Sequence, residues 1–222
     1  MTLPSDKNLY VDFDGTLIDP SKRLYRLFSE LNPTSRKISF SEYWDLKNTG
    51  LTQESLLTDI LRLNPRQVTN FKAGWLSEIE NPELLALDCP LPGAENFLSK
   101  LSTYSDLHLV TARQSSIGVE KQLADLGWNR FFKNVIVTLA KSSKEEAIKS
   151  LTVPRAADII VGDTCEDICT GKALDILTVA VETGHTLKSA FEACSPDAII
   201  PSVSMFDASL WEQLLLRKHL TN

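Results

Sequence analysis

Apolar residues follow two different rhythms along this 222-residue chain. From about Gly93 onward, short runs that are apolar at nearly every position alternate with segments whose apolar residues recur at helical spacing. Continuous apolar runs suit strands buried on both faces, and their alternation with helices is the rhythm of βα units on a parallel sheet. The spacing therefore predicts strands at 107–111, 135–138, 158–161, 177–181 and 198–200, with 9–13 near the start belonging to the same set. Between Ile18 and about Leu87 the β-branched runs disappear and apolar residues take helical spacing instead, as in Leu24, Leu27, Phe28 and Leu31, then Leu56, Leu57, Ile60 and Leu61. Asn64-Pro65 and Asn81-Pro82 mark helix boundaries within this stretch, and Cys89-Pro90-Leu91-Pro92-Gly93 reads as the hinge that leaves it. The chain is thus α/β: a parallel-sheet core of residues 1–17 plus 90–222, interrupted by an all-helical insert at 18–89. No internal repeat or low-complexity segment disturbs that division.

Composition adds exclusions. An apolar content of 43% supplies a real core, while a net charge of -6 and a pI near 5.2 argue against a nucleic-acid partner, which needs a surplus of Lys and Arg on one face. The cysteines, Cys89, Cys165, Cys169 and Cys194, form no CxxC pair and the histidines are scattered, so no structural zinc site is expected and the thiols are expected to be reduced. Neither a signal peptide at the N-terminus nor a membrane-spanning run is present in the sequence, which leads us to expect a soluble cytoplasmic protein, monomer or homodimer.

The candidate chemistry lies at strand ends. Asp12-Phe13-Asp14-Gly15-Thr16 closes the first apolar run, and strand alternation is expected to send both carboxylates to one side while Gly15 lets the backbone turn. Gly162-Asp163-Thr164-Cys165-Glu166-Asp167 closes a later run and opens a helix. Either alone reads equally well as a turn or a helix cap. Two acid-rich ends on one sheet are harder to explain that way, because carboxylates gathered at one edge repel unless a cation sits among them. Oxygen-only donors suit Mg²⁺, which bridges carboxylates to a substrate phosphate. A third run ends in Val110-Thr111-Ala112-Arg113, and Lys144 opens the segment Lys144-Glu145-Glu146-Ala147-Ile148. Thr111 and Lys144 suit phosphate oxygens, although Arg113 reads as a solvated surface residue and Lys141 competes with Lys144.

In chain order, DxDGT, a strand ending in Thr, a Lys and GDxxxD, this sequence resembles the haloacid dehalogenase superfamily, in its phosphoglycolate phosphatase and β-phosphoglucomutase-like branch with a helical cap. The Lys-Pro form common at the third motif is absent, which leaves the choice of lysine open. The resemblance implies a Rossmann-like core and a Mg²⁺-dependent phosphatase acting on a small phosphorylated metabolite. Asp12 would be the nucleophile that carries the phosphoryl group, and Asp14 the general acid and base, giving the metal only its backbone carbonyl. Asp12, Asp14 and Asp163 would hold the metal, with Asp167 behind them or pairing with the lysine. Thr111, Ala112 and Lys144 would bind phosphoryl oxygens. The insert would be the cap that sets specificity, with Lys47 in the interruption at 45–52 meeting a distal anionic group and with Trp44 and Trp75 in the cap core. A β-phosphoglucomutase-like phosphotransferase is the nearest rival, sharing a Leu-Lys-Gly stretch comparable to Leu46, Lys47 and Gly50, but Thr16 stands where that mutase has a bulkier apolar residue. A phospho-accepting signalling module is too short and has no insert, and a catalytically silent binding protein would usually have lost one of the four acids.

Overall fold

Continuous apolar runs stay extended where neighbouring strands cover both edges and helices cover both faces. In the computed structural model, which describes residues 7–139 and 141–221, eight short strands appear in chain order. They are β1 (Asn8–Val11), β2 (Ile18–Asp19), β3 (Cys89–Pro90), β4 (Asp106–Thr111), β5 (Phe132–Val137), β6 (Ile159–Gly162), β7 (Leu177–Val181) and β8 (Ala198–Ile200). Six of them form one sheet in the order β5-β4-β1-β6-β7-β8, every neighbouring pair parallel, while β2 and β3 make a separate two-stranded sheet. The α/β class with a parallel, Rossmann-type sheet is therefore present. The order reverses direction beside β1: the chain moves outward from β1 through β4 to β5, then returns to the other side of β1 as β6. Such a switch point opens a crevice at the carboxyl ends of the two strands that flank it, here β1 and β6.

Alternation along each strand divides the core between the two faces of the sheet. Leu9, Val11, Leu107, Leu109, Ile159, Val161, Leu177 and Val179 pack on one face with Phe97, Leu98, Leu123, Trp128 and Trp211. Tyr10, Val110, Ile136 and Ile160 pack on the other with Ile148, Leu174 and Ile176.

Two strands differ from the sequence expectation. β1 ends at Val11, two residues early, because Gly15, at φ +78°, turns the chain back and Leu17 and Ile18 donate their N–H groups to the Phe13 carbonyl. β5 starts three residues early, at Phe132, and takes in Lys133 and Asn134. As the sheet's edge it has one strand neighbour and keeps its outer side in water, so polar residues fit there. Residues 1–6 of the expected first core segment, on which the expectation about a signal peptide falls, lie outside the described residues, as does Ala140.

Residues Met1–Asp19 and Pro90–Asn222 form one compact unit and Pro20–Cys89 a second. In the second, helices Ser21–Leu31, Phe40–Lys47 and Pro65–Glu78 pack around Phe28, Tyr43, Trp44, Leu57 and Phe71, with Trp75 against them. Both Asn-Pro pairs are helix starts: Asn64 and Asn81 cap the helices that Pro65 and Pro82 open. Arg23 pairs with Asp88 at 2.9 Å, both side chains buried.

The cysteines correct the expectation of reduced thiols. Cys165 and Cys194 form a disulfide across 29 residues, tying the start of helix Cys165–Ala173 to the end of helix Lys188–Cys194, while Cys89 and Cys169 are free and exposed. The pairing follows from the two helices packing together over Ile168, Ala180 and Phe191, which spacing along the chain does not reveal. Among the described residues no helix is long and apolar enough to cross a membrane.

Candidate active site

The acid-rich strand ends meet where the sheet reverses. Asp12 follows β1, Asp163 follows β6, and Asp167 lies one turn into the helix that β6 feeds. All three are buried, and one carboxylate oxygen from each lies within 4.8 Å of the others. The Lys144 ammonium stands among them, 2.6 Å from Asp12 Oδ1 and 2.6 Å from Asp167 Oδ1. Lys144 is the first residue of helix Lys144–Leu151, where Ser143 and Glu146 form a capping box that fixes the turn, and its side chain is only 3% exposed. Lys141 is exposed, so of the two candidate lysines the fold brings Lys144 to the acids.

Local geometry dictates each orientation. Thr164 is the N-cap of helix Cys165–Ala173, and both its N–H and its hydroxyl donate to Asp167 Oδ2, at 3.1 and 2.6 Å. Asp167 therefore completes a helix cap with one oxygen and holds the lysine with the other. Asp163 fits because glycines flank it: a Cβ at Gly15 would lie 2.4 Å from Asp163 Oδ2, and one at Gly184 would lie 1.8 Å away. Asp167 leans in the same way on Gly162, where a Cβ would meet its Cγ at 2.2 Å. The Thr16 hydroxyl lies 3.3 Å from Asp12 Oδ2 and 3.4 Å from Asp163 Oδ1, and Thr183 donates to the Gly15 carbonyl at 2.6 Å.

The charges do not balance. Three carboxylates and one ammonium leave two negative charges in a buried place. Burial, outweighing the nearby ammonium, and the charge of Asp167 push Asp12 up to about 7, while burial and the charges of Asp12 and Asp167 hold Asp163 well above the usual carboxylate range. Burial alone would lower Lys144, but Asp12 and Asp167 more than offset it, so its ammonium stays charged. A divalent cation among these oxygens would cancel the excess, and an all-oxygen donor set suits a hard ion. Asp12 and Asp163 are the better placed to hold one, since both oxygens of Asp167 already accept strong hydrogen bonds.

Asp14 takes a different partner. Its charge adds to those that raise Asp12, but its hydrogen bonds go elsewhere. The Asp14 carboxylate accepts from Arg113 Nε at 2.5 Å and Nη2 at 2.8 Å. Arg113 is accordingly buried, not solvated as its sequence context implied. Thr111 ends β4 with its side chain buried and with no hydrogen-bond partner for its hydroxyl among the described residues, and Ala112 follows at the surface. Lys47, in the helical unit, is half-buried; burial lowers its pKa, and among the described residues no carboxylate pairs with it.

Sequence reading missed Arg113 and the 183–184 turn as parts of this site, and gave Thr16 no contact with the acids. For Arg113 the signal was its place two residues beyond a strand-terminal Thr. The turn at 183–184 offered a Gly shortly after an apolar strand, but only the fold shows that Asp163 needs that space.

The switch point of a parallel sheet is where such folds bind ligands, and buried carboxylates around a lysine are the kind of group that gathers at functional sites. Residues 10–181 match the family described as haloacid dehalogenase-like hydrolase, and the chain belongs to that family. No curated protein matched the sequence. Similar solved structures include a proposed phosphatase from Clostridium difficile, 18% identical with a TM-score of 0.74, the alignment covering 96% of this chain and 100% of that one. A predicted phosphoglycolate phosphatase from Haemophilus somnus is 16% identical with a TM-score of 0.63, over 88% and 94% of the two chains. A proposed hydrolase of the same family, YfnB from Bacillus subtilis, bound to magnesium, is 19% identical with a TM-score of 0.62, over 95% and 99%.

Proposed function

We propose that this enzyme is a Mg²⁺-dependent phosphatase that hydrolyses a small phosphorylated metabolite, in the manner of a phosphoglycolate phosphatase, through a phosphoryl group carried on Asp12. The observation that carries this reading is the buried cluster of Asp12, Asp163 and Asp167 around Lys144, whose two excess negative charges call for a divalent cation beside a nucleophilic carboxylate. Such a cation, when bound, would neutralise the acids and draw charge from the transferring phosphoryl group. Asp12 and Asp163 would hold it, with the Asp14 backbone carbonyl as a third donor.

Asp12 then attacks phosphorus, and Asp14 gives a proton to the departing ester oxygen and takes one from the water that hydrolyses the intermediate. Lys144, the Thr111 hydroxyl and the Ala112 N–H bind the phosphoryl oxygens, which is where fixed donors contribute most to this reaction. The unit Pro20–Cys89 acts as the specificity cap, and Lys47, a half-buried cation that no carboxylate neutralises among the described residues, suits a substrate with a second anionic group.

Phosphate release from a panel of phosphorylated metabolites, with Mg²⁺ and with a chelator, tests the reading. Turnover should require the metal, and Asp12→Asn should abolish it while leaving the circular dichroism spectrum unchanged. Retained turnover in Asp12→Asn would overturn the assignment.

A further inference from the structure

Among the described residues, Arg113 is the one buried cation at the strand ends that the proposed reaction leaves unused. Its backbone carbonyl accepts from Leu139 N–H at 3.0 Å, anchoring the segment after β4 to the one after β5. Its guanidinium carbon lies 5.6 Å from the Phe13 ring centroid, and its two nitrogens grip both oxygens of Asp14. The two partners are unequal: the Arg113 side chain is 4% exposed and that of Asp14 28%. A paired buried charge is weak evidence for stability, since desolvation consumes much of its Coulombic gain. What a planar two-point fork does supply is orientation, because it fixes both the plane and the rotation of the carboxylate it holds. Asp14 sits on the turn beyond the end of β1.

We propose that Arg113 is a positioning residue that aims the Asp14 carboxyl at the ester oxygen and then at the attacking water. The inference rests on the phosphatase reading given above. In the first half-reaction the bond from Asp12 to phosphorus forms, the ester P–O bond breaks, and the electron pair left on the ester oxygen takes the proton of Asp14. In the second, water bonds to phosphorus, the bond to Asp12 breaks, and the proton of the water passes to Asp14. Arg113 makes and breaks no bond in either step. Its loss therefore slows only what depends on a well-aimed Asp14.

The leaving group separates that role from a general one. The oxygen of an alkyl phosphate departs as a strong base and needs the proton, whereas p-nitrophenolate leaves without it. In rapid-mixing measurements of the first turnover, Arg113→Met should slow transfer from the alkyl phosphate that the unaltered enzyme uses best by about 100-fold. The nitrophenolate burst should hold to within about threefold, and the substrate concentration that half-saturates the first turnover should change similarly little for both esters. Arg113→Lys should show the same selectivity with a smaller loss, and it carries the comparison should the methionine variant not fold. Equal losses on both esters in Arg113→Lys would overturn the inference and assign Arg113 to phosphoryl binding or to the fold. Absence of turnover of any ester by the unaltered enzyme would overturn the phosphatase reading first, and the inference with it.

Discussion

At the scale of single residues, the glycines around Asp163 are as specific as the acids. A Cβ at Gly184 would sit 1.8 Å from Asp163 Oδ2, closer than any relaxed packing allows, and the atom in its way belongs to a carboxylate proposed to hold the metal. Gly184→Ala should therefore turn Asp163 aside and weaken Mg²⁺ binding by about 10- to 100-fold, the range for losing support of a metal ligand. Calorimetric titration with Mg²⁺ would show this, and an unchanged affinity would mean that the turn yields instead. The acids themselves were legible in the sequence, because two apolar runs each end in Asp and Gly and only a strand-end site makes sense of both. Arg113 and Gly184 were not. A charged residue after a strand is usually solvated, and a glycine declares only what its own backbone does, not whose side chain fills the space it leaves.

At the scale of elements, the site depends on two helix starts. Lys144 opens helix Lys144–Leu151, and the Ser143 hydroxyl accepts from Glu146 N–H at 3.1 Å while Glu146 Oε2 accepts from Ser143 N–H at 3.0 Å. Removing the cap by Ser143→Ala should cost about 1 kcal/mol, a fall of about 2–4 °C in Tm for a protein of this size. Turnover should fall with it, because the frayed turn is the one that holds the ammonium to Asp12. Glu146→Gln preserves the reciprocal bond and should be milder on both counts. Thermal unfolding and steady-state rates measured on the same preparations would check this; a Ser143→Ala enzyme with a lowered Tm and unchanged turnover would separate the cap from the site. The central strands were readable because burial on both faces leaves few polar positions in them, His108 and Thr178 among those few. The start of β5 was not, since at an edge Lys133 can face water while Asn134 bonds to His108, and the apolar run that marks a strand is lost.

At the scale of the whole molecule, the change from apolar runs to helical spacing after Ile18 is plain in the sequence, whereas the polar bonds that cross the sheet depend on strand order and are invisible there. One chain of them runs through four segments. Asn134 of β5 donates to His108 Nδ1 of β4, His108 Nε2–H donates to Asn8 of β1, and Asn8 donates to Asp158 just before β6. Stacked on Tyr10 and buried, His108 is held neutral, and burial lowers its pKa from 6.5 to about 4. The unfolded chain then binds the extra proton between those values, so this contribution to stability is complete above pH 6.5, is lost as pH falls toward 4, and changes no further below that. Its size is at most about 3 kcal/mol, from 1.36 kcal/mol per pKa unit. Asp12, raised to about 7, and Asp163, held well above the usual carboxylate range, act in the opposite direction as pH falls when no cation is bound, so the bare pH profile mixes all three groups. Comparison with His108→Gln removes the shared part. Between pH 7 and 4, denaturant unfolding should show the parent losing stability that the variant does not, and parallel curves would mean that the polar chain accepts an imidazolium after all.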